Sequence, residues 1–217
     1  MVREGILRSE RCIRAMLQVK RHLFIDERHA KWAYEDTPLP LGNTGQTISA
    51  PHMCAYMLEA LEPQLGHNVL EVGGGSGYQA ALLAEVVAPS DTPKEMWGRV
   101  VTIEILDPLC ELAKRNLKRA DYSDRVLVVC GDGTLGYPPL EKGGLYDRIL
   151  ITAGGPDVPP PLLEQLKREG ILVAPVGGRF TQELIRIRKK KSGELIRERL
   201  LPCRFVPLRG RFGWEGI

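Results

Sequence analysis

The apolar positions of this 217-residue chain change their period twice. Between about residues 68 and 175, short apolar runs alternate with longer stretches of helical spacing, the pattern of parallel strands joined by crossover helices. Val69, Leu70 and Val72 make the first run, followed by Arg99–Ile105, Arg125–Cys130, Tyr146–Thr152 and Ile171–Pro175. Near-continuous apolar strands of this kind are buried on both faces. A helix is expected from about Pro160 to Arg168, and Pro89–Gly98 reads as an elongated surface loop. Ahead of this unit, Ser9 is a candidate N-cap for a helix with Ile13, Met16 and Leu17 on its apolar face. A short helix is expected around Glu27–Tyr34. The prolines and glycines of 37–45 predict a loop, and Pro51 opens a further helix with Met53, Cys54, Met57, Leu58 and Leu61 inward. Beyond residue 180 the period falls to two. Gln182–Arg188 alternates, Lys189–Gly193 reads as a hairpin tip, and Leu195–Leu208 returns antiparallel. The expected architecture is α/β, a doubly wound, mostly parallel sheet in a single domain over 1–217. Within it, 1–62 supply N-terminal helices and a covering loop, 63–178 the α/β core, and 179–217 a C-terminal antiparallel pair and tail.

Composition narrows the classes. A hydrophobic content of 43% and a charged content of 26% are ordinary for a globular chain. A net charge of +3 is too small to argue by itself for a nucleic-acid partner. The basic hairpin tip is of the kind that keeps exposed turns and edges from aggregating. No apolar run has membrane length, no signal peptide is apparent, and the four histidines lack metal-ligand spacing, so no metal is expected. The five cysteines, at 12, 54, 110, 130 and 203, form no CxxC pair. They read as reduced, buried thiols of a cytoplasmic protein.

Candidate chemistry gathers at three strand ends. The first strand runs into Gly73-Gly74-Gly75-Ser76-Gly77 and then a helix-forming segment. A sharp turn whose backbone approaches a ligand needs glycine, and amides at the new helix N-terminus favour an anionic group. The spacing also satisfies a loose dinucleotide fingerprint, so the neighbouring junctions must decide. Glu71 precedes the first glycine by two residues, as in the acidic-x-Gly-x-Gly-x-Gly motif of class I S-adenosylmethionine-dependent methyltransferases. Glu104 closes the second strand, where a carboxylate accepts ribose hydroxyls, and Gly131-Asp132-Gly133 follows the third, where an Asp can meet an adenine amine. Three matching junctions favour S-adenosylmethionine on a Rossmann-like methyltransferase fold.

The chain resembles the protein-L-isoaspartate O-methyltransferase family over nearly its whole length, with features similar to archaeal members. The resemblance rests on Leu70–Ala81, on Gly45-Gln-Thr-Ile-Ser-Ala-Pro-His-Met53, which general methyltransferases lack, and on Tyr34–Pro40, Pro159–Lys167, Pro175-Val-Gly-Gly178 and Phe205–Trp214. It departs at Gly74, where Thr or Ser is commoner, at Cys54, where some relatives carry a cofactor-contacting His, and after Leu208. The resemblance implies methyl transfer to the free carboxylate of L-isoaspartyl residues in damaged proteins and peptides. The ester then closes to a succinimide that partly hydrolyses to aspartate. It also implies Ser49 as the catalytic residue, and a cofactor site of Gln46, Thr47, Ile48, Ser49, Glu71, Gly73, Gly75, Gly77, Glu104, Ile105, Gly131, Asp132 and Gly133. No nucleic-acid or membrane partner is expected; oligomeric state is open, with a monomer favoured. A helix-capping role for Ser49 stays open at this point, and His52 is left outside the catalytic set. Three alternatives also remain: a class I RNA (tRNA adenine) methyltransferase, disfavoured by Thr152-Ala-Gly-Gly-Pro156 where an Asn/Asp-Pro-Pro-Tyr would stand; a peptide-tailoring aspartate O-methyltransferase; and a cofactor-binding protein without activity.

Overall fold

Successive residues of the central strands feed two different cores, which is why those strands read as continuously apolar. In a computed structural model, which describes residues 1–216, Val69, Val100, Leu150, Ile171 and Val173 face one apolar cluster, while Leu70, Val101, Ile149, Leu172 and Ala174 face the other. The helices in chain order are α1 (Glu10–Gln18), α2 (Pro51–Leu61), α3 (Tyr78–Val87), α4 (Asp107–Arg119) and α5 (Pro160–Gln165). The strands are β1 (Leu39–Pro40), β2 (Thr47–Ile48), β3 (Asn68–Val72), β4 (Arg99–Glu104), β5 (Val126–Cys130), β6 (Tyr146–Ile151), β7 (Leu166–Gly177), β8 (Gln182–Lys189) and β9 (Leu195–Cys203). The first core draws on α1 to α4 and the second on α5.

The main sheet has the order β5-β4-β3-β6-β7-β8-β9. Its first five strands are parallel, and β8 and β9 are added antiparallel. The chain runs outward from β3 to β5 and then returns to β6 on the other side of β3. A crevice therefore opens at the carboxyl ends of β3 and β6, where the winding reverses and open α/β sheets take their ligands.

Several sequence expectations need correction. Residues 37–45 are not all loop: Leu39↔Ile48 and Pro40↔Thr47 pair β1 with β2, and proline is tolerated because this ribbon is all edge. Leu17 is 78% exposed, and Cys12 and Ala15 are the buried residues of α1. Ser9 stands at the N-cap of α1 without a side-chain capping bond, because its hydroxyl donates to Glu59 on α2 at 3.0 Å. The turn at Glu27–Trp32 is 3₁₀. α5 stops at Gln165, and β7 begins immediately. The C-terminal return leaves the sheet after Cys203, and the residues beyond it cross to the crevice. Most directly, Cys110 and Cys130 are joined in a disulfide, leaving Cys12, Cys54 and Cys203 free. The packing of the first turn of α4 against the end of β5 places two cysteines 20 residues apart side by side, and sequence spacing carries no such information. The inference from cysteine usage to a reducing compartment falls with it. Among the described residues, no helix is long and apolar enough to cross a membrane.

Candidate active site

A cavity of ≈ 850 Å³, counted to its open mouth, fills the crevice. Its floor is the β3–α3 turn. Gly73, Gly75 and Gly77 all have positive φ (99°, 52° and 84°), and a Cβ on Gly73 would lie 2.5 Å from Thr152 Oγ1. The turn is held from both neighbouring strand ends. Gly73 and Gly74 N–H donate to Ile103 O, and Thr152 Oγ1 donates to Gly73 O at 2.6 Å. At Gly74, a Cβ would stand 2.7 Å from Thr102 Oγ1. The glycine at this departure from the family pattern leaves room for the Thr102 hydroxyl.

Two carboxylates with different environments look into this space. Glu104 accepts Gly75 N–H at 2.8 Å on one oxygen and Leu106 N–H at 2.9 Å on the other. Each oxygen keeps a lone pair, the capacity a vicinal diol requires. Glu71 is fully buried and receives one bond, from Thr102 Oγ1 at 2.5 Å, while its Oε1 has no partner. Burial pushes its pKa up to about 8, with the Glu104 charge adding to the effect. Gln79 Nε2 is also buried and without a partner, on the same lining. Orphaned buried polar atoms of both signs facing one cavity fit a polar, cation-bearing ligand.

The roof is the β1–β2 ribbon. Its turn is closed by Leu41 N–H donating to Gln46 O at 2.9 Å and by Thr44 Oγ1 donating to Leu41 O at 2.7 Å. Leu41 lies over Gly75, 3.5 Å from where a Cβ would project. Gln46, Thr47, Ile48 and Ser49 therefore line the cavity. The N-cap of α2 is Ala50, with no side-chain capping bond, so the capping role considered for Ser49 is not the one it plays. Its carbonyl accepts from Cys54 Sγ at 3.6 Å. Burial raises the Cys54 thiol to about 12, so Cys54 is a neutral packing group here. His52 is fastened outside, with its N–H and Nδ1 each 2.9 Å from Asp36 Oδ1.

Of the residues expected at the site, Gln46, Thr47, Ile48, Ser49, Glu71, Gly73, Gly75, Glu104, Ile105 and Gly133 line one cavity, whereas Gly77, Gly131 and Asp132 do not. Gly77 packs against Leu117 of α4. Asp132 already accepts from Thr134 N–H and Oγ1, and from Arg211 N–H at 2.7 Å. The missed lining is Val206–Arg209, together with Thr152. The tail reaches it through Gly154, whose N–H donates to Val206 O and whose carbonyl accepts Leu208 N–H, both at 2.8 Å. Arg21 was missed as well: it is 1% exposed, donates to Ala33 O at 2.8 Å, and stacks on Tyr78, which lines the cavity. No local sequence signal marks either feature; only the Phe205–Trp214 resemblance pointed toward the tail.

A glycine turn at the switch point, flanked by acids on β3 and β4 and closed by a β-ribbon, defines a class I methyltransferase. Solved methyltransferases share the fold: residues matching 95% of this chain and 94% of a protein-L-isoaspartate O-methyltransferase from Plasmodium falciparum, in complex with S-adenosyl-L-homocysteine, superpose with a TM-score of 0.81 at 30% identity. The family model for protein-L-isoaspartate(D-aspartate) O-methyltransferase matches residues 1–213, and the chain belongs to that family. Among its relatives, the protein-L-isoaspartate O-methyltransferase of Hyperthermus butylicus is 55% identical over 99% of this chain and 88% of its own. That of Korarchaeum cryptofilum is 50% identical over 99% and 96%. The activity is thus protein-repair methyl transfer, and the RNA-methyltransferase alternative loses its footing.

Proposed function

We propose that Ser49 orients the isoaspartyl carboxylate for methylation. The observation that carries this reading is its position: Ser49 lines both the cofactor cavity and an adjoining groove. S-adenosylmethionine, when bound, supplies an electrophilic methyl group on a sulfonium. Glu71, Gly73, Gly75, Glu104, Ile105 and Gly133 would hold it from the sheet side, and Gln46–Ile48 from the roof. Glu104 suits a ribose diol, and Glu71 and Gln79 suit the charged amino-acid end. Asp132 would help indirectly, by pinning the tail that closes the wall.

An acceptor carboxylate with a pKa near 4 is already anionic at neutral pH, so the site needs no general base. The residues lining the cofactor cavity provide none: the Cys54 thiol is held neutral, and His52, which lines only the adjoining groove, is tied to Asp36. What remains is orientation and exclusion of water. The Ser49 hydroxyl donates to one carboxylate oxygen and leaves the other free, while Ile48, Val206 and Leu208 keep the surroundings apolar. Holding reactants in a productive geometry contributes roughly 7–11 kcal/mol in favourable cases. The acceptors are isoaspartyl proteins and peptides, and the reading needs neither a second subunit nor nucleic acid.

The test is labelled-methyl transfer from S-adenosylmethionine to an isoaspartyl peptide and its aspartyl isomer. Base-labile label on the isoaspartyl form alone is expected, and Ser49→Ala should lower kcat about 10²-fold, the loss typical of one orienting donor, with little change in cofactor affinity. Equal labelling of both isomers would favour the peptide-tailoring alternative. Normal turnover in Ser49→Ala would remove Ser49 from the chemistry.

A further inference from the structure

The groove beside Ser49 has a charge pattern that orientation of the carboxylate does not use. It encloses ≈ 1570 Å³ to its open mouth, against ≈ 850 Å³ for the cofactor cavity. On the acceptor reading of Ser49, the chain on either side of the isoaspartyl residue would lie here. It is continuous with the cavity, since Thr47, Ser49, Thr152, Val206 and Pro207 line both. No Asp or Glu lines it among the described residues, yet Arg179 and Arg204 do, and Phe180, on the same lining, is 74% exposed. The acid nearby in sequence to the roof, Asp36, is committed to His52.

These two arginines differ from their neighbours. Every arginine within β8 and β9 is matched to a carboxylate: Arg186 to Glu62 and Glu198, Arg188 to Glu62, Arg197 to Asp157 and Arg199 to Glu183. Arg179 lies just before β8 and Arg204 just after β9, and neither forms an ion pair among the described residues. Arg179 donates to Glu215 O at 3.0 Å and sits over the Trp214 ring, which fixes its direction. Arg204 is exposed, and its side chain makes no hydrogen bond or ion pair among the described residues. The same hairpin thus pairs the arginines of its strands with carboxylates and, among the described residues, leaves unmatched the two arginines that border the acceptor groove.

We propose that Arg204 and Arg179 are specificity-determining residues: they draw in the polypeptide flanking the isoaspartyl residue and favour segments with acidic side chains beside it, with Phe180 as an apolar platform on the same groove lining. The proposal rests on the acceptor reading of Ser49 given above. Exposed ion pairs are worth little each, so one arginine contributes about three- to fivefold in kcat/KM by the tenfold-per-1.4 kcal/mol relation. Unscreened cations at a groove mouth act chiefly on encounter, so the preference should shrink with ionic strength.

The experiment compares two isoaspartyl hexapeptides, identical except for Glu or Gln on either side of the isoaspartyl residue, at 20 mM and 500 mM sodium chloride (order-of-magnitude choices around about 10 Å screening near 0.1 M). The wild type should prefer the Glu peptide, Arg204→Gln should reduce the ratio of the two kcat/KM values, and Arg204→Glu should invert it. Arg204→Lys should restore most of the preference. Thermal melts of each variant report folding separately. Equal kcat/KM for the two peptides in the wild type at low salt overturns the proposal, as does a preference that survives in the Arg179→Gln/Arg204→Gln pair. If neither isoaspartyl peptide is methylated at all, the acceptor reading fails and takes this proposal with it; methylation without charge preference sinks the proposal alone.

Discussion

The floor of the cavity and its far wall are built in different ways. At the floor, the ends of β3, β4 and β6 lie side by side in the sheet, and each strand hands a bond to the next: Ile103 O takes the amides of Gly73 and Gly74, and Thr152 Oγ1 donates to Gly73 O. Every group there is positioned by strand register. The far wall, Val206–Arg209, belongs to no sheet. It hangs on Gly154, on Arg211 N–H donating to Asp132, and on the indole N–H of Trp214 donating to Gly154 O at 2.8 Å. Buried Gln182 braces its entry, accepting Phe205 N–H and donating to Gly178 O. The floor is therefore as rigid as the core, while the wall is held by a few separable bonds and can adapt to what enters beside Ser49. Perturbing the floor should reach stability and cofactor affinity; perturbing the wall should reach the acceptor.

The largest expected effect tests the floor. Glu71 has its pKa raised from 4.5 to about 8, first by burial. Its folded form holds a proton that the unfolded chain has lost between those values, so its contribution to stability is full below about pH 4.5 and disappears as pH rises through 8. The span is on the order of 4 kcal/mol. Denaturant unfolding between pH 5 and pH 8.5 should show a falling limb in the ligand-free wild type that is missing in Glu71→Gln. The lowered pKa of His67 contributes an opposite slope, which is common to both proteins and cancels in their difference. Identical pH profiles would mean that Glu71 is ionised throughout the range and that its burial does not raise its pKa in the folded protein.

Next comes the disulfide, which ties the start of α4 beside the Glu104 loop to the end of β5 beside Gly131-Asp132. Closing a loop of this length stabilises by about 3 kcal/mol through the unfolded chain. Cys130→Ser should lower stability by that order, and a reducing agent should do the same to the wild type while leaving the variant unchanged. Mass measurement of alkylated protein checks the pairing directly: an unreduced sample should show three reactive thiols after unfolding, and five would refute the bond.

Two glycine replacements of about 2 kcal/mol each then set floor against wall, since both positions have positive φ and no room. A Cβ on Gly73 meets Thr152, and one on Gly210 collides with the Asp132 carboxylate. Gly73→Ala should weaken S-adenosylhomocysteine binding by more than about tenfold, each tenfold being about 1.4 kcal/mol. Gly210→Ala should free the tail and raise the acceptor KM more than the cofactor Kd. Calorimetry and initial-rate kinetics on both variants would measure the separation; equal losses of cofactor affinity would erase it.

The same contrast explains what the sequence made legible. The alternating period located all five parallel strands because each residue answers to a sheet neighbour, and glycines at 73, 75 and 77 announced a backbone that only glycine adopts without strain. Glu71 and Glu104 followed from their places at strand ends. What escaped was set by tertiary contact: the Cys110–Cys130 bond, the turn of Asp132 toward Arg211, the burial of Arg21, and Leu17 facing outward on a helix whose apolar positions suggested otherwise. The β1–β2 ribbon escaped because two ladder pairs are too few to leave a period.

The smallest effect is the sharpest probe of the wall. Trp214 donates its indole N–H to Gly154 O, which already accepts Leu208 N–H. Replacing it with Phe keeps an aromatic ring beside Arg179 and deletes one donor, leaving the Gly154 carbonyl with its other bond. No buried acceptor is orphaned, so the cost should be only about 1 kcal/mol. That loss should fall on the tail alone: hydrogen exchange of the Leu208 and Arg211 amides should quicken, while the Gly73 and Gly74 amides keep their protection. Faster exchange at both sets would mean that the tail and the glycine turn open together, and the adaptable wall would be part of the rigid floor.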